Sequence, residues 1–474
     1  MPEFNARSLL KFDNSRVAVI TENGEHYSYE DLLRYSDELS SCLKRKSLIF
    51  NFCENNIESL VGYLAFAFEG HAALLINSKQ HFSLTKSLID KYSPDYIWIN
   101  TEQKKYFSCQ KVVFSLKGYH LLDMEQNTVS ALHKDLSLLL PTSGSTGSSK
   151  YVKLTLNNII SNAKSIAQYL NLNETERPVT SLPMHYSFGL SVINSHLVSG
   201  STILLTKFSF FQKEFWSFLK NFRATSISGT PFHFAMLDRL GLDNLNRTEI
   251  RVITHAGGKM NPDLLKKMVV FCDQNSLVFF SMYGQTEATA RMSFVPPEKL
   301  KDKLGSIGIP IPGGQFELLD DASNLIVDSG VEGDLVYSGE NVGWGYANIR
   351  EDLSNCGGSG RKLHTGDRAI RDDDGYYYIV GRKTRFIKIY GNRINLDDIE
   401  DLIHESFGEC ACIGVDDSII IYVTSDTKIA EIKAHIAKIT GISSRVIEVR
   451  FIHKMPRTDN GKLSYSELEP THGY

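Results

Sequence analysis

Short apolar runs, each ended by a loop of glycines or small hydroxyl residues, recur along this 474-residue chain. The runs RVAVI (16–20), SLLLP (137–141), STILL (201–205), RVITHAGG (251–258) and LVFFSMYGQTE (277–287) have strand length and strand composition. Between them lie stretches with helical spacing, such as Leu32, Leu33, Leu39 and Leu43, and the segment NNIISNAKSIAQYL at 157–170. Strands alternating with helices predict an α/β architecture of several layers. In open α/β sheets ligands bind beyond the carboxyl ends of strands, so the Gly- and Ser-rich loops are where a site is expected.

Composition closes off other classes. Hydrophobic residues make up 42% and charged residues 22%, the balance of an ordinary globular protein. Fifty-one basic against fifty-five acidic residues give a net charge of −4, which excludes the basic footprint of a nucleic-acid binder. The seven cysteines, at 42, 53, 109, 272, 356, 410 and 412, contain no CxxC pair, so neither a disulfide framework nor a zinc ribbon is expected. The opening MPEFNARSLLKF lacks a signal-peptide core, and nowhere do 18 apolar residues run together, so no membrane span and a cytoplasmic location are expected.

The last part of the chain reads as a separate unit. FIKIYG, SIIIYVTS and VIEVRFI are strand-like. Ile399, Leu402, Ile403 and Phe407 share one helical face, and Ile429, Ile432, Ile436 and Ile439 another. The expected division is 1–383 for a large N-terminal domain and 384–474 for a small α+β domain, joined near residues 381–385. The stretch NCGGSGRK (355–362) reads as a surface loop.

Four motifs carry chemistry. Thr142-Ser143-Gly144-Ser145-Thr146-Gly147-Ser148-Ser149-Lys150 directly follows the SLLLP run. Its glycines allow backbone N–H groups to approach an anion, its hydroxyls donate to phosphate oxygens, and Lys150 adds a mobile charge. Taken alone, such a loop is as well explained by a solvated linker. Tyr283-Gly284-Gln285-Thr286-Glu287 closes another run, where Glu287 offers a hard oxygen ligand suited to Mg²⁺ and Thr286 a hydroxyl for phosphate. His364-Thr-Gly-Asp367 precedes an acidic turn and YYYIVGRK; an Asp at a loop tip suits two ribose hydroxyls, with Arg382 in reach of the same ribose or a phosphate. Pro456-Arg-Thr-Asp-Asn-Gly-Lys462 places Lys462 on a short exposed loop. Singly, each of the last three is more often a polar turn or a surface charge.

In order and spacing the four together resemble the adenylate-forming superfamily: acyl- and aryl-CoA synthetases, peptide synthetase adenylation domains and beetle luciferases. The resemblance runs from about Pro141 to Lys462 and includes the domain break. It implies a large AMP-binding domain and a small mobile domain carrying the catalytic lysine. It further implies ATP-dependent activation of a carboxylic acid to an acyl-adenylate, followed by transfer to a thiol of CoA or of carrier-protein phosphopantetheine. Under that resemblance Lys462 bridges the attacking carboxylate and the phosphate, and Glu287 holds Mg²⁺ with Thr286 beside it. The 142–150 loop holds the β- and γ-phosphates, Asp367 and Arg382 the ribose, and Ala256-Gly257-Gly258 with Tyr283 flanks the adenine. Gly391 lies near an incoming pantetheine, and His185 resembles the residue gating the acid pocket.

One position departs from the pattern. Thr384 follows Gly381-Arg382-Lys383 where the family commonly has Asp or Lys as a hinge. The acid-binding segment Met184–Leu190 has no acidic residue before Gly200 to pair with a substrate ammonium, which disfavours an α-amino acid. Ser228–Phe234 is expected to line the same pocket, although Phe232, His233 and Phe234 are equally well read as core. Two alternatives stay open: transfer to an amine or a dedicated carrier protein, and a non-catalytic scaffold homologue. A scaffold, however, needs none of the residues Lys462, Glu287, Asp367 or the 142–150 loop.

Overall fold

The computed structural model describes residues 10, 15–125, 131–142, 150–355, 361–382, 385–389, 392–415, 418–426, 428–440, 443–458 and 461–468. They fall into two compact units. The first takes in the described residues up to 142, from 150 to 315 and from 338 to 363; the second takes those from 316 to 337 and from 364 onward.

The first unit holds an eight-stranded sheet. Its order is Tyr346–Ala347, Tyr151–Thr155, Leu136–Pro141, Ala72–Asn77, Leu48–Cys53, Tyr96–Asn100, Tyr119–Asp123 and Lys111–Leu116. The central pairings are parallel. Strand Leu48–Cys53 is buried throughout, and alternate residues serve two cores. Leu48, Phe50 and Phe52 pack with Leu74, Ile76 and Tyr92 on one face, while Ile49 and Cys53 join Leu64 and Trp98 on the other. Successive Cβ atoms of a strand point to opposite faces, so a strand covered on both sides is apolar almost throughout, and the one polar position here, buried Asn51, donates to the Ser59 carbonyl at 3.1 Å. Two smaller sheets complete the unit. One pairs Ile203–Leu205, the shortened remnant of the 201–205 run, in parallel with Val17–Thr21. The other sets Ser226–Gly229, Val252–His255 and Val278–Tyr283 in parallel and continues antiparallel through Ser293–Val295 and Ile309–Pro310.

The helix expected at 157–170 forms as Leu156–Tyr169, started by a capping box between Thr155 and Asn158. Pro231–Leu240 is also a helix, and it buries Phe234 completely, the core reading of that residue.

The second unit holds all but the end residues of a four-stranded sheet of Gln315–Leu319, Gly333–Ser338, Lys362–Arg371 and Tyr377–Arg382. A hairpin of Phe386–Ile389 and Asn392–Asn395 leads to helix Leu396–Phe407. Ile399, Ile403, Ile432 and Ile436 from the two helices share a core with Ile419, Ile421 and Ile447, as the helical spacing predicts. Strand Cys410–Val415, not evident in the sequence, pairs antiparallel with Ser418–Val423. The compact second unit is larger than 384–474, because strands from 315–338 hydrogen-bond into the sheet that also holds 362–382. Lys383 and Thr384, and most of NCGGSGRK, lie outside the described residues. Among the described residues no helix is long and apolar enough to cross a membrane, and the six described cysteines are free.

Candidate active site

Three parallel strands deliver the first group of predicted residues to one sheet edge. Gly229 pairs with His255, and His255 with Ser281, so the segments beyond them leave side by side. These are Thr230–Phe234, Ala256-Gly257-Gly258 and Gly284–Glu287. Gly257 has φ +87°, and a Cβ there would lie 2.6 Å from the Tyr186 hydroxyl, so only glycine lets Tyr186 rest on the turn. His185 and Tyr186 immediately precede helix Ser187–Leu197.

The Tyr283–Glu287 motif is a narrow loop closed upon itself. Tyr283 pairs with Ser293, and the Met292 N–H donates to the Tyr283 carbonyl at 2.9 Å. A Cβ at Gly284 would sit 1.8 Å from the Ala290 carbonyl oxygen, so the two limbs touch backbone to backbone. The tip is a single 3-10 turn, Thr286–Ala288. Thr286 is buried, with its hydroxyl 3.1 Å from that of Ser187, which ties the loop to the His185–Ser187 turn.

Glu287 meets a residue that the motifs did not single out. The Tyr346 hydroxyl donates to Glu287 Oε1 at 2.7 Å, and Lys150 Nζ lies 5.8 Å from the centre of the Tyr346 ring. Burial and then the Glu287 charge push the Tyr346 phenol well up, so it remains a protonated donor at neutral pH. Tyr346 is placed by pairing with Val152, two residues beyond Lys150. Its only sequence signal is an aromatic in the glycine-spaced GWGY, too ordinary to stand out. Thr142 follows the strand Leu136–Pro141, with its N–H directed at the Lys150 carbonyl, 3.4 Å away. Ser143, Gly144, Ser145, Thr146 and Gly147 lie outside the described residues.

The remaining predicted residues belong to the second unit. Asp367 is not at a loop tip: it sits within strand Lys362–Arg371, directly across from Arg382, because the HTGD segment continues the strand into the sheet. Its carboxylate is buried and accepts from Arg382 Nε at 3.1 Å. Lys462 closes a tight turn in which the Thr458 N–H donates to the Lys462 carbonyl and the Gly461 N–H to the Thr458 carbonyl, both at 2.8 Å. Its side chain is half-buried. Gly391 lies outside the described residues.

No three His, Cys, Asp or Glu side chains gather among the described residues. Glu287 alone cannot cage a cation, but one carboxylate suits Mg²⁺, which keeps water and shares phosphate oxygens in its shell.

Fold, loop and carboxylate together define a member of the adenylate-forming superfamily. The chain belongs to the AMP-binding enzyme family, whose model matches residues 7–347. Among curated relatives, the 2-succinylbenzoate–CoA ligase of Bacillus pumilus (strain SAFR-032) is 25% identical over 479 residues, covering 96% of this chain and 95% of that protein. The ligase of the same name from Staphylococcus epidermidis (strain RP62A) is 26% identical over 373 residues, covering 74% of each. Among solved structures, ATP-bound MatB from Rhodopseudomonas palustris superposes with a TM-score of 0.80 at 21% identity, covering 98% of this chain and 99% of that one. The o-succinylbenzoate CoA synthetase (MenE) of Bacillus subtilis with its acyl-adenylate OSB-AMP gives 0.77 at 20% identity over 98% of each chain. The likeness to these two structures is one of fold.

Proposed function

We propose that this chain is an AMP-forming acid–thiol ligase that activates a carboxylic acid with ATP and transfers the acyl group to coenzyme A. The observation that carries the reading is the convergence of Lys150 and Glu287 on Tyr346, in a chain of the AMP-binding family. In the first step a carboxylate oxygen attacks the α-phosphorus and pyrophosphate leaves. In the second the thiol sulfur attacks the acyl carbonyl, AMP leaves with the bonding pair, and the thiol proton passes to solvent.

Two anions must be brought together, so charge and position dominate the chemistry. The 142–150 loop with Lys150 holds the β- and γ-phosphates. Tyr346 orients the Glu287 carboxylate, and Thr286 adds a hydroxyl. When bound at Glu287, Mg²⁺ offsets the charge of the triphosphate. Ala256-Gly257-Gly258, Tyr283 and Gly284 border the adenine, Asp367 and Arg382 take the ribose, and Lys462 aligns the acid with the α-phosphate. His185 borders the acid, and Gly391 the pantetheine arm.

Coenzyme A is the favoured acceptor, since curated relatives along nearly the whole chain are named as CoA ligases. A carrier-protein thiol or an amine is the runner-up. ATP and CoA as substrates fit a cytoplasmic location. Helix Ser187–Leu197 carries no carboxylate for a substrate ammonium, which supports a fatty, aryl or other acid lacking one.

Carboxylate-dependent ATP–pyrophosphate exchange over an acid panel, followed by thioester assay with CoA, tests the reading. ATP binding without exchange for any acid supports the scaffold instead. Glu287→Gln is expected to raise the Mg²⁺ concentration needed for half-maximal exchange by roughly tenfold, because a neutral amide is a poorer ligand for a hard cation. An unmoved magnesium midpoint removes Glu287 from the metal site. Thr384→Pro, which restricts φ at the proposed hinge, is expected to slow thioester formation about tenfold more than adenylation. Single-turnover assays from pre-formed adenylate separate the steps, and equal slowing of both argues against a hinge there.

A further inference from the structure

Among the described residues, Arg291 is the one buried cation that meets neither a carboxylate nor a carbonyl oxygen. Arg350 is paired with Asp95 at 2.9 Å, and Arg368 reaches Glu332, Asp334 and Asp321. Buried Lys153 donates to the carbonyls of Asp352 and Asn355. Arg291 is 2% exposed. Its Nη1 donates to the Tyr169 hydroxyl at 3.3 Å and approaches the Met282 sulfur, while Nε has no partner. The guanidinium stands 4.2 Å from the centre of the Phe188 ring. A guanidinium offers five donors in a planar fork that matches a carboxylate. Burial lowers its pKa, and the ionisable groups that act on it are the phenols of Tyr169 and Tyr186 and the imidazole of His196, with no carboxylate among them. A buried charge kept without a counter-ion is a cost to folding, so a group that binds there is to be expected.

The backbone ties Arg291 to the site. The Asn162 side chain brackets it, accepting from its N–H at 3.4 Å and donating to its carbonyl at 2.9 Å. Gly284 packs directly on Ala290 and Arg291 at the foot of the Glu287 loop. Tyr186, Phe188, Ala256, Phe280 and Met282 form one apolar cluster, and Arg291 touches two of its members, Phe188 and Met282. The cation therefore lies in an aromatic cluster that also reaches the turn at Ala256 and the residue after His185.

We propose that Arg291 binds a second carboxylate of the acid substrate, the one not activated, so that the enzyme takes an aromatic dicarboxylic acid. The proposal rests on the ligase reading above and adds the substrate class. Phe188 and its cluster would receive the apolar spacer, and the fork would face the distal carboxylate.

The test pairs each aromatic diacid with the same molecule lacking the distal carboxylate. The pairs are 2-succinylbenzoate with 4-oxo-4-phenylbutanoate, homophthalate with phenylacetate, and phthalate with benzoate. In exchange assays the wild type is expected to prefer at least one diacid by about 100-fold in kcat/KM, as a site built for a polar group rejects an analogue lacking it. Arg291→Met is expected to shrink that preference to about threefold, through loss on the diacid with the monoacid rate kept or raised, and Arg291→Lys to fall between. The apoprotein of Arg291→Met is expected to melt at the wild-type temperature or above it, since an uncompensated buried charge has been removed. A merely structural arginine predicts a lower melting temperature and equal losses on both acids. A diacid preference surviving in Arg291→Met, or a wild type with no diacid preference in any pair, overturns the proposal. Exchange with no acid at all defeats the ligase reading. Calorimetric binding of the same diacids then decides the subsite: about tenfold tighter binding to wild type than to Arg291→Met upholds it, and equal binding overturns it.

Discussion

Lys462→Ala is expected to lower acyl-adenylate formation by roughly 10²–10³-fold while ATP binding and thermal unfolding stay as in the wild type. The stability half of this expectation comes from the turn itself. Thr458 and Gly461 hold it through backbone hydrogen bonds, and Lys462 takes part in them with its backbone carbonyl, which accepts from the Thr458 N–H. Arg457 supports the same turn by donating to the Gly461 carbonyl at 2.7 Å. Truncating the lysine side chain leaves the turn's backbone hydrogen bonds in place and removes the ammonium. The activity half rests on the chemistry: two like-charged groups must meet, and a cation between them acts most strongly as charge builds on the phosphorus. Rapid-quench measurement of adenylate against a melting curve separates the two halves. An unchanged first-step rate would sink the assignment, and a collapsed melting curve would show the lysine to be structural.

Gly284→Ala is expected to be nearly as damaging by a different route. The added Cβ would lie 1.8 Å from the Ala290 carbonyl oxygen and 2.8 Å from the Arg291 Cα, both backbone atoms that no rotamer change can move. The loop must open, at a cost of about 1–3 kcal/mol by the scale of overpacked interiors. Glu287 and Thr286 ride on that loop, and a displacement near 1 Å of a positioning group costs on the order of 100-fold in rate. The expected result is a lower melting temperature together with about 100-fold slower exchange. Glu287→Gln, by contrast, is expected to move the magnesium dependence with little change in melting. Wild-type melting and exchange in Gly284→Ala would mean that the limbs of the loop separate freely.

Much of the architecture was legible because it is local. The isoleucines at 399, 403, 432 and 436 repeat at helical spacing and pack as that spacing requires. SLLLP and LVFFSM became strands of parallel-containing sheets, and the YGQTE loop left the expected strand end. Strand Cys410–Val415 is not legible in the sequence, since CACIGV mixes small residues with few β-branched ones and has no clean alternation. The strand position of Asp367 is hidden for a related reason: Gly366 beside it reads as a turn, yet antiparallel pairing with Arg382 carries the strand through it.

What the sequence by itself determined is the set of motifs in order, and hence the family, together with the periodicities that build each layer. Those are properties of neighbours along the chain. Which side chains face one another was decided only by the tertiary structure. Tyr346 reaches Glu287 from 59 positions away, and Arg291 reaches Tyr169 from 122. A phenol or a guanidinium in a sequence carries no mark of its future burial, because burial and pairing are set by which strands and helices close over it.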